Sequence, residues 1–279
     1  MKNGYADLHT HTNVSDSTFT VDELLNRAKS AGLMAVSITD HDGVEAIDEA
    51  MKINERLGIE IIPGIELSAE ENDIEVHMLG YFINWNDKDF LNKLKILREA
   101  RLERARKIIE KLNNLNIKLC LEDVLKLTKS DTSIGRLHIA RALKNAGYIS
   151  DVREAFKNYI GQDGPAYVRK YFISPVEAIN MIKKIGGIPV LAHPAVLNND
   201  ALIFKLIPFG LAGLEVYRSE HSTSQVEHYK ELAVKNNLLI TGGSDCHGLG
   251  KSKILIGTIL IPYHYVECLK KYKSILTTP

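Results

Sequence analysis

The chain has 279 residues, 45% hydrophobic and 25% charged, an ordinary globular composition that excludes fibrous and intrinsically disordered classes. Its 35 basic and 35 acidic residues cancel, so there is no overall positive field of the kind that drives nonspecific binding to duplex DNA. No apolar run approaches the roughly 20 residues of a membrane span, Met1-Lys2-Asn3-Gly4 opens no signal peptide, and Cys120, Cys246 and Cys268 form no C-x-x-C pair. A cytoplasmic protein without a disulfide scaffold is expected.

In chain order, Tyr5–His11 reads as a strand and Val21–Ala31 as a helix. Met34–Thr39 is a second strand, followed by a helix from Val44 to Leu57 and by strands at Ile59–Ile62 and Glu75–Phe82. Late in the chain, Ile188–Ala192, Gly213–Tyr217, Leu238–Thr241 and Ile254–Ile261 read as strands, most of them separated by helical segments such as Ser222–Asn236. This alternation marks a parallel α/β architecture, and about seven such strands suit a closed (β/α) barrel better than an open sheet. Between Asp87 and Ile185 the alternation gives way to helical periodicity, with Ala166–Tyr171 the one strand-like run. Residues 1–86 and 186–279 are therefore expected to form the barrel, and 87–185 an inserted helical subdomain.

In a parallel barrel the site lies at the C-terminal strand ends, and those ends carry metal-ligand residue types. The first strand closes with Asp7-Leu8-His9-Thr10-His11, where period-two alternation points both imidazoles to one face. Asp16 follows in the next loop. Later ends read Thr39-Asp40-His41-Asp42, Gly64-Ile65-Glu66, Leu191-Ala192-His193-Pro194 and Gly243-Ser244-Asp245-Cys246-His247, and the fourth strand carries His77. Any one of these histidines is best read as a chance loop residue. Six of them arriving with at least three carboxylates at one rim are not. Mixed nitrogen and oxygen donors suit Mn²⁺, Fe²⁺ or Zn²⁺, and so many ligands call for two or three ions bridged by a carboxylate such as Glu66. Other chemistries find no support. The Gly250-Lys251-Ser252 run lacks the earlier glycine of a phosphate loop, no G-x-G-x-x-G joins a strand to a helix, and there is no G-x-S-x-G elbow.

These strand-end motifs resemble, in order and along essentially the whole chain, those of the PHP (polymerase and histidinol phosphatase) metal-dependent phosphoesterases. Gly135-Arg136-Leu137-His138-Ile139-Ala140-Arg141 further resembles the branch containing nucleoside 3′,5′-bisphosphate phosphatases and 5′-3′ exoribonucleases. The resemblance implies a distorted (β/α)₇ barrel with three divalent ions. His9, His11, Glu66 and Asp245 would hold the first, Glu66, His77 and His193 the second, and Asp16, His41 and His247 would surround the third. It also implies hydrolysis of a small phosphate ester or short oligonucleotide. A metal-bridging hydroxide would attack phosphorus in line, with Asp16, His193 and His247 as candidate general acids and Asp7 and Asp40 orienting ligand imidazoles. Ser17 replaces a glycine common in the family and Gly43 a threonine; neither change removes a ligand.

The insert is expected to set specificity. Lys88–Lys111 holds nine basic and four acidic residues, ordinarily a solvated helix face. Yet Arg98 and Arg101 fall on the stripe of Leu94, Ala105, Ile108 and Leu112, where an unpartnered guanidinium is costly. With Arg136 and His138 they are expected to hold a second phosphate or the sugar-phosphate edge, while Arg104, Arg106 and Lys107 face solvent. Arg169 and Lys170 fit a basic wall or plain surface equally. Tyr167, Tyr171 and Phe172 suit base stacking or the insert core, Glu215 and His221 a supporting role, and His228 and His264 no special one. Alternative readings are a histidinol-phosphate phosphatase and a noncatalytic structural metal module. Long duplex DNA, a membrane and an obligate protein partner are not expected.

Overall fold

The computed structural model describes residues 4–72, 74–128, 133–169, 173–250 and 253–277. Eight strands form one sheet: β1 (Tyr5–Thr10), β2 (Leu33–Ile38), β3 (Glu60–Glu71), β4 (Ile74–Tyr81), β5 (Ile188–Leu191), β6 (Gly213–Arg218), β7 (Leu239–Gly243) and β8 (Ile261–Pro262). Their spatial order is β7-β6-β5-β4-β3-β2-β1-β8. The ring closes beyond β7, where the Asp245 N–H donates to His9 O at 2.8 Å and the His11 N–H donates to Cys246 O at 3.1 Å.

Helices α1 (Val21–Ser30) and α2 (Ala46–Leu57) cross over between β1, β2 and β3, which run parallel. Thr20 and Glu23 form a capping box that starts α1, and Gly58, at φ 66°, ends α2 in the left-handed region. The wholly parallel sheet expected from the sequence is not found. Only a tight link separates Glu71 from Ile74, too short for a parallel crossover, so β4 folds back antiparallel to β3 and pairs antiparallel with β5 as well. β3 is correspondingly longer than the Ile59–Ile62 run that announces it. A second correction concerns Ile254–Ile261. Gly257 adopts φ 77° and breaks the run, leaving the two-residue β8 antiparallel to Tyr5–Ala6. Ile254, Leu255 and Ile256 instead pack on the cluster beneath α1 and α2.

The insert is built on α3 (Lys88–Asn114), with α4 (Leu121–Leu125), α5 (Arg136–Asn145), α6 (Val152–Ala155) and a π-helical turn at Phe156–Ile160. The strand-like run from Ala166 is irregular as far as Arg169; Lys170, Tyr171 and Phe172 lie outside the described residues. α3 serves two cores. Phe90, Leu94 and Leu97 pack among barrel residues such as Ile65 and Leu67, as does α7 (Pro175–Lys184) through Ala178, Ile179 and Ile182. The separate core of the insert runs from Ala105 to Ala166. Residues 87–185 thus include helical ends that belong to the barrel's packing. The remaining helices, α8 (Pro194–Leu197), α9 (Asp200–Leu206), α10 (Thr223–Lys235) and α11 (His264–Thr277), complete the outer layer. Among the described residues no helix is long and apolar enough to cross a membrane.

Closure of the ring depends on one glycine. A Cβ at Gly243 would stand 2.3 Å from the backbone nitrogen of His9 and 2.4 Å from its Cβ. Gly243→Ala is expected to cost on the order of 1–3 kcal/mol through overpacking, seen as a fall in melting temperature. An unchanged melting curve would show that the seam has slack.

Candidate metal centre and its cavity

His9 and His11 come from the last residues of β1 and the step beyond it, Asp16 from the following loop, and His41 from the loop after β2, where it bridges to Glu66. Glu66 lies mid-way along β3. On β4, His77 pairs with Ser68, two residues past Glu66, so the antiparallel hairpin places His77 and Glu66 diagonally on one face. His193 follows β5, and Asp245 and His247 follow β7.

These nine side chains converge around Glu66. Its Oε2 lies 3.2 Å from His9 Nε2, 3.2 Å from His11 Nε2 and 3.1 Å from His41 Nδ1. Its Oε1 lies 2.9 Å from His77 Nδ1 and 3.2 Å from His193 Nε2. Asp245 Oδ1 stands 3.1 Å from His11 Nε2, and Asp16 Oδ1 3.1 Å from His247 Nε2. Three sets have ligand atoms within 4.8 Å of one another: His9, His11, Glu66 and Asp245; His11, Asp16, His41 and His247; and His41, Glu66 and His77. His193 reaches the last set through Glu66 and through a 3.2 Å approach of its Nε2 to His77 Nδ1.

The donor set fits divalent cations. Glu66 Oε2, His9 Nε2, His11 Nε2, His41 Nδ1 and Asp16 Oδ1 are buried, yet none makes a hydrogen bond. Buried polar atoms left in this way are costly singly, and a cluster of them turned toward common points matches what oxygen and nitrogen ligands present to a metal. The charge balance agrees. Burial would push the Glu66 carboxyl up, but the imidazoles of His41, His9 and His77 hold it well below its ordinary range. Against the cost of burial, the carboxylates raise His11 and His77 to about 9, whereas burial drives His193 down to about 4. The carboxylates that draw protons onto His11 and His77 offer the same positions to divalent cations.

A family model described as the PHP domain matches residues 7–165. The chain belongs to the PHP domain family. It is 31% identical over 250 residues to a 3′,5′-nucleoside bisphosphate phosphatase of Chromobacterium violaceum, covering 88% of each chain. It is 32% identical over 248 residues to the 5′-3′ exoribonuclease Rnm of Escherichia coli, covering 86% of this chain and 84% of that one. A crystal structure of a putative metal-dependent phosphoesterase from Bifidobacterium adolescentis superposes with a TM-score of 0.89 at 33% identity, covering 95% of this chain and 94% of the other.

Above the candidate metal centre a cavity of about 880 Å³ separates barrel from insert, and Asp16, His193 and His247 all line it. Of the four substrate-binding candidates, Arg101 and Arg136 line it and Arg98 and His138 do not. Arg101 is already engaged, with Nε on Asp42 Oδ2 and Nη2 on Ser68 Oγ, each at 2.7 Å. Arg98 pairs with Glu45 Oε1 at 2.7 Å. His138 is buried, with Nδ1 accepting the Gly135 N–H and Nε2 lacking a partner. Arg136 reaches Glu75 Oε2 at 2.8 Å. The solvent assignment of Arg104 is wrong: it is only 8% exposed and lines the cavity, donating from Nε to Val168 O at 2.7 Å. Burial, then repulsion from Arg136 and Arg101, brings its guanidinium down to about 10. Because α3 turns from the barrel core to the insert core at this point, the stripe that faces the gap rotates to include it. Arg106 and Lys107 are exposed as expected. Arg169 pairs with Glu70 at the surface.

Of the acids expected to support the ligands, Glu215 contacts a ring directly, Asp40 reaches one only through Ser15, and Asp7 contacts none. Asp7 accepts the Ser244 N–H at 2.8 Å, and Asp40 accepts the Thr12 N–H and the Thr12 and Ser15 hydroxyls. They fix the loops, not the rings, although Ser15 Oγ does link Asp40 to His11 Nδ1 at 3.4 Å. The ring of His9 is oriented by buried Glu215, whose Oε1 accepts its Nδ1–H at 2.8 Å while Oε2 accepts the His193 backbone N–H at 2.8 Å. That second bond supports His193 at φ 31°, a left-handed conformation shared by Asp42 and Asp245 and characteristic of strained functional positions. Arg218, at the end of β6, went unnoticed in the sequence although the same strand-end rule points to it. Its Nη2 holds Asp245 Oδ2 at 2.5 Å and Glu220 Oε2 at 2.8 Å, and its Nε and Nη1 are buried without partners.

Glu215→Gln keeps the volume but sets an amide N–H₂ against one of two donors, the His9 ring or the His193 backbone. Metal affinity is expected to fall 10- to 100-fold, measured by chelator competition. Unchanged retention would remove Glu215 from this role.

Proposed function

We propose that the protein is a metal-dependent phosphoesterase that removes phosphate from nucleotides, 3′,5′-bisphosphates foremost, and trims short oligonucleotides from the 5′ end. One observation carries the reading: a single cavity is lined on one side by the clustered ligand groups Asp16, His41, Glu66, His77, His193, Asp245 and His247 and on the facing insert wall by Arg101, Arg104 and Arg136. A substrate with two anionic groups matches both poles. Three divalent ions, Mn²⁺, Fe²⁺ or Zn²⁺, would be held by the three ligand sets. When bound they would supply an acidified water and neutralise phosphoryl charge.

The chain's own residues do the rest. Glu66 and Asp245 hold negative charge where the imidazoles converge. Arg218 keeps Asp245 turned so that Oδ1 faces the histidines. Asp16, His193 and His247 stand at the cavity floor, where a leaving oxygen needs a proton. Arg104 donates only to a neutral carbonyl, whereas Arg101 and Arg136 are each paired with a carboxylate, so Arg104 is the wall residue whose charge is best available to a second phosphate. Histidinol phosphate would bring a cationic amine toward that wall, which disfavours it as the main substrate. An open, lined cavity above the ligands disfavours a purely structural metal module.

Phosphate release from a panel of phosphate esters after reconstitution with Mn²⁺ tests the reading. The expected order is 3′-phosphoadenosine 5′-phosphate above AMP, with histidinol phosphate last; the reverse order would overturn it. His9→Ala and Glu66→Ala should abolish turnover while the fold persists by circular dichroism, and near-native rates in either would contradict the scheme. Arg104→Ala should raise KM about tenfold or more for the bisphosphate and little for AMP, since a lost charge-assisted contact is worth roughly 1.5–3 kcal/mol. Equal effects on both would remove Arg104 from the second-phosphate site.

A further inference from the structure

The charged poles leave part of the cavity unaccounted for. Val152 and Phe156 line it from the insert, and Val196 and Leu255 line it from the barrel. Val196 is 65% exposed, an apolar side chain held open at the edge of a polar site. Phe156 is half-buried, packing on the insert core while still lining the cavity. The Arg136 guanidinium lies 5.7 Å from its ring centroid.

The backbone that presents Phe156 is unusual. It opens a π-helical turn, Phe156–Ile160, closed by the Gly161 N–H on Phe156 O at 3.0 Å. π-turns are rare and frequently accompany functional sites. Here the turn is enforced by its neighbours. A Cβ at Gly161 would fall 2.1 Å from Phe156 O, and one at Gly164 2.3 Å from Tyr159 O. The Ala166 N–H then returns to Tyr159 O at 2.8 Å. The ring is thus carried on a tightly determined segment.

We propose that Phe156 is the platform on which the base of a nucleotide substrate stacks, with Val196 and Leu255 enclosing the base from the barrel side. An aromatic ring in a cavity that aliphatic side chains also line offers a base the face turned away from Arg136 and reads little of the base's edge, so the site would accept purines and pyrimidines alike. Tyr167, another residue considered for stacking, does not line the cavity; it lies under Arg104, 5.8 Å from its guanidinium carbon. The proposal rests on the nucleotide reading above.

KM values of the Mn²⁺-loaded protein for AMP and ribose 5-phosphate, with the inhibition constant of inorganic phosphate, separate the contributions. Phe156→Leu preserves apolar volume for the insert core but removes the ring, and Phe156→Trp keeps a π-face. The leucine variant should raise KM for AMP about 5- to 150-fold, the span of base–aromatic stacking, with the KM for ribose 5-phosphate and the phosphate inhibition constant unchanged. The tryptophan variant should retain the KM for AMP, and UMP should follow AMP through the series. An equal rise for AMP and ribose 5-phosphate, an unchanged KM for AMP in the leucine variant, or a wild-type KM for AMP no lower than that for ribose 5-phosphate would each overturn the platform. Phosphate release from the ester panel is scored separately, so hydrolysis that persists with no Phe156 effect would sink this proposal and leave the phosphoesterase reading standing.

Discussion

One carboxylate organises this molecule. Glu66 sits almost fully buried with five imidazoles, from His9, His11, His41, His77 and His193, within 2.9–3.2 Å of its two oxygens. Those histidines belong to four separate strands or their ends besides its own, so the register of the sheet and the composition of the centre are two statements of the same constraint. A buried carboxylate is tolerable only when surrounded by groups that stabilise its charge, and here the surrounding groups are themselves metal-ligand types. The closing seam at Gly243 and His9, the antiparallel turn that brings in His77, and the left-handed residues His193, Asp42 and Asp245 all serve to bring atoms distant in sequence to that point.

The supporting residues extend the constraint outward. Glu215 links a ligand ring to a ligand backbone, so that β6 holds β1 and the end of β5 in register at once. Arg218 does the same for Asp245, and Asp42 accepts both the Ser68 N–H and the Arg101 guanidinium, joining β3 and the insert at the rim. Arg218 and Asp42 act from strand ends, Glu215 and Ser68 from within β6 and β3. The insert is thus fastened through Arg101 to Asp42, next to His41.

The barrel and its centre were legible because the signal is local: an HxH, a DH, an HP or a DxH at the end of an apolar run needs no tertiary knowledge to be placed on a rim. What escaped depends on information that runs between segments. The direction of β4 follows from the length of the Glu71–Ile74 link, and the fate of Ile254–Ile261 from the left-handed Gly257, neither of which periodicity registers. Arg104 departs from the single stripe that periodicity suggests because the 27-residue α3 packs against two cores. Asp7 and Glu215 are both buried acids on strands, and which of them faces an imidazole depends on how β1 and β6 meet, which neither segment's own sequence carries.

The 27 residues of α3 make a rod of roughly 40 Å, anchored at one end in the barrel and at the other in the insert. Such a beam transmits displacement instead of absorbing it. Any tilt of the far module levers Arg101 against Asp42, next to His41, so loosening the roof would disturb the floor. The near end of the beam, packed on the barrel through Phe90, Leu94 and Leu97, is therefore the fixed mounting from which the distal helices project.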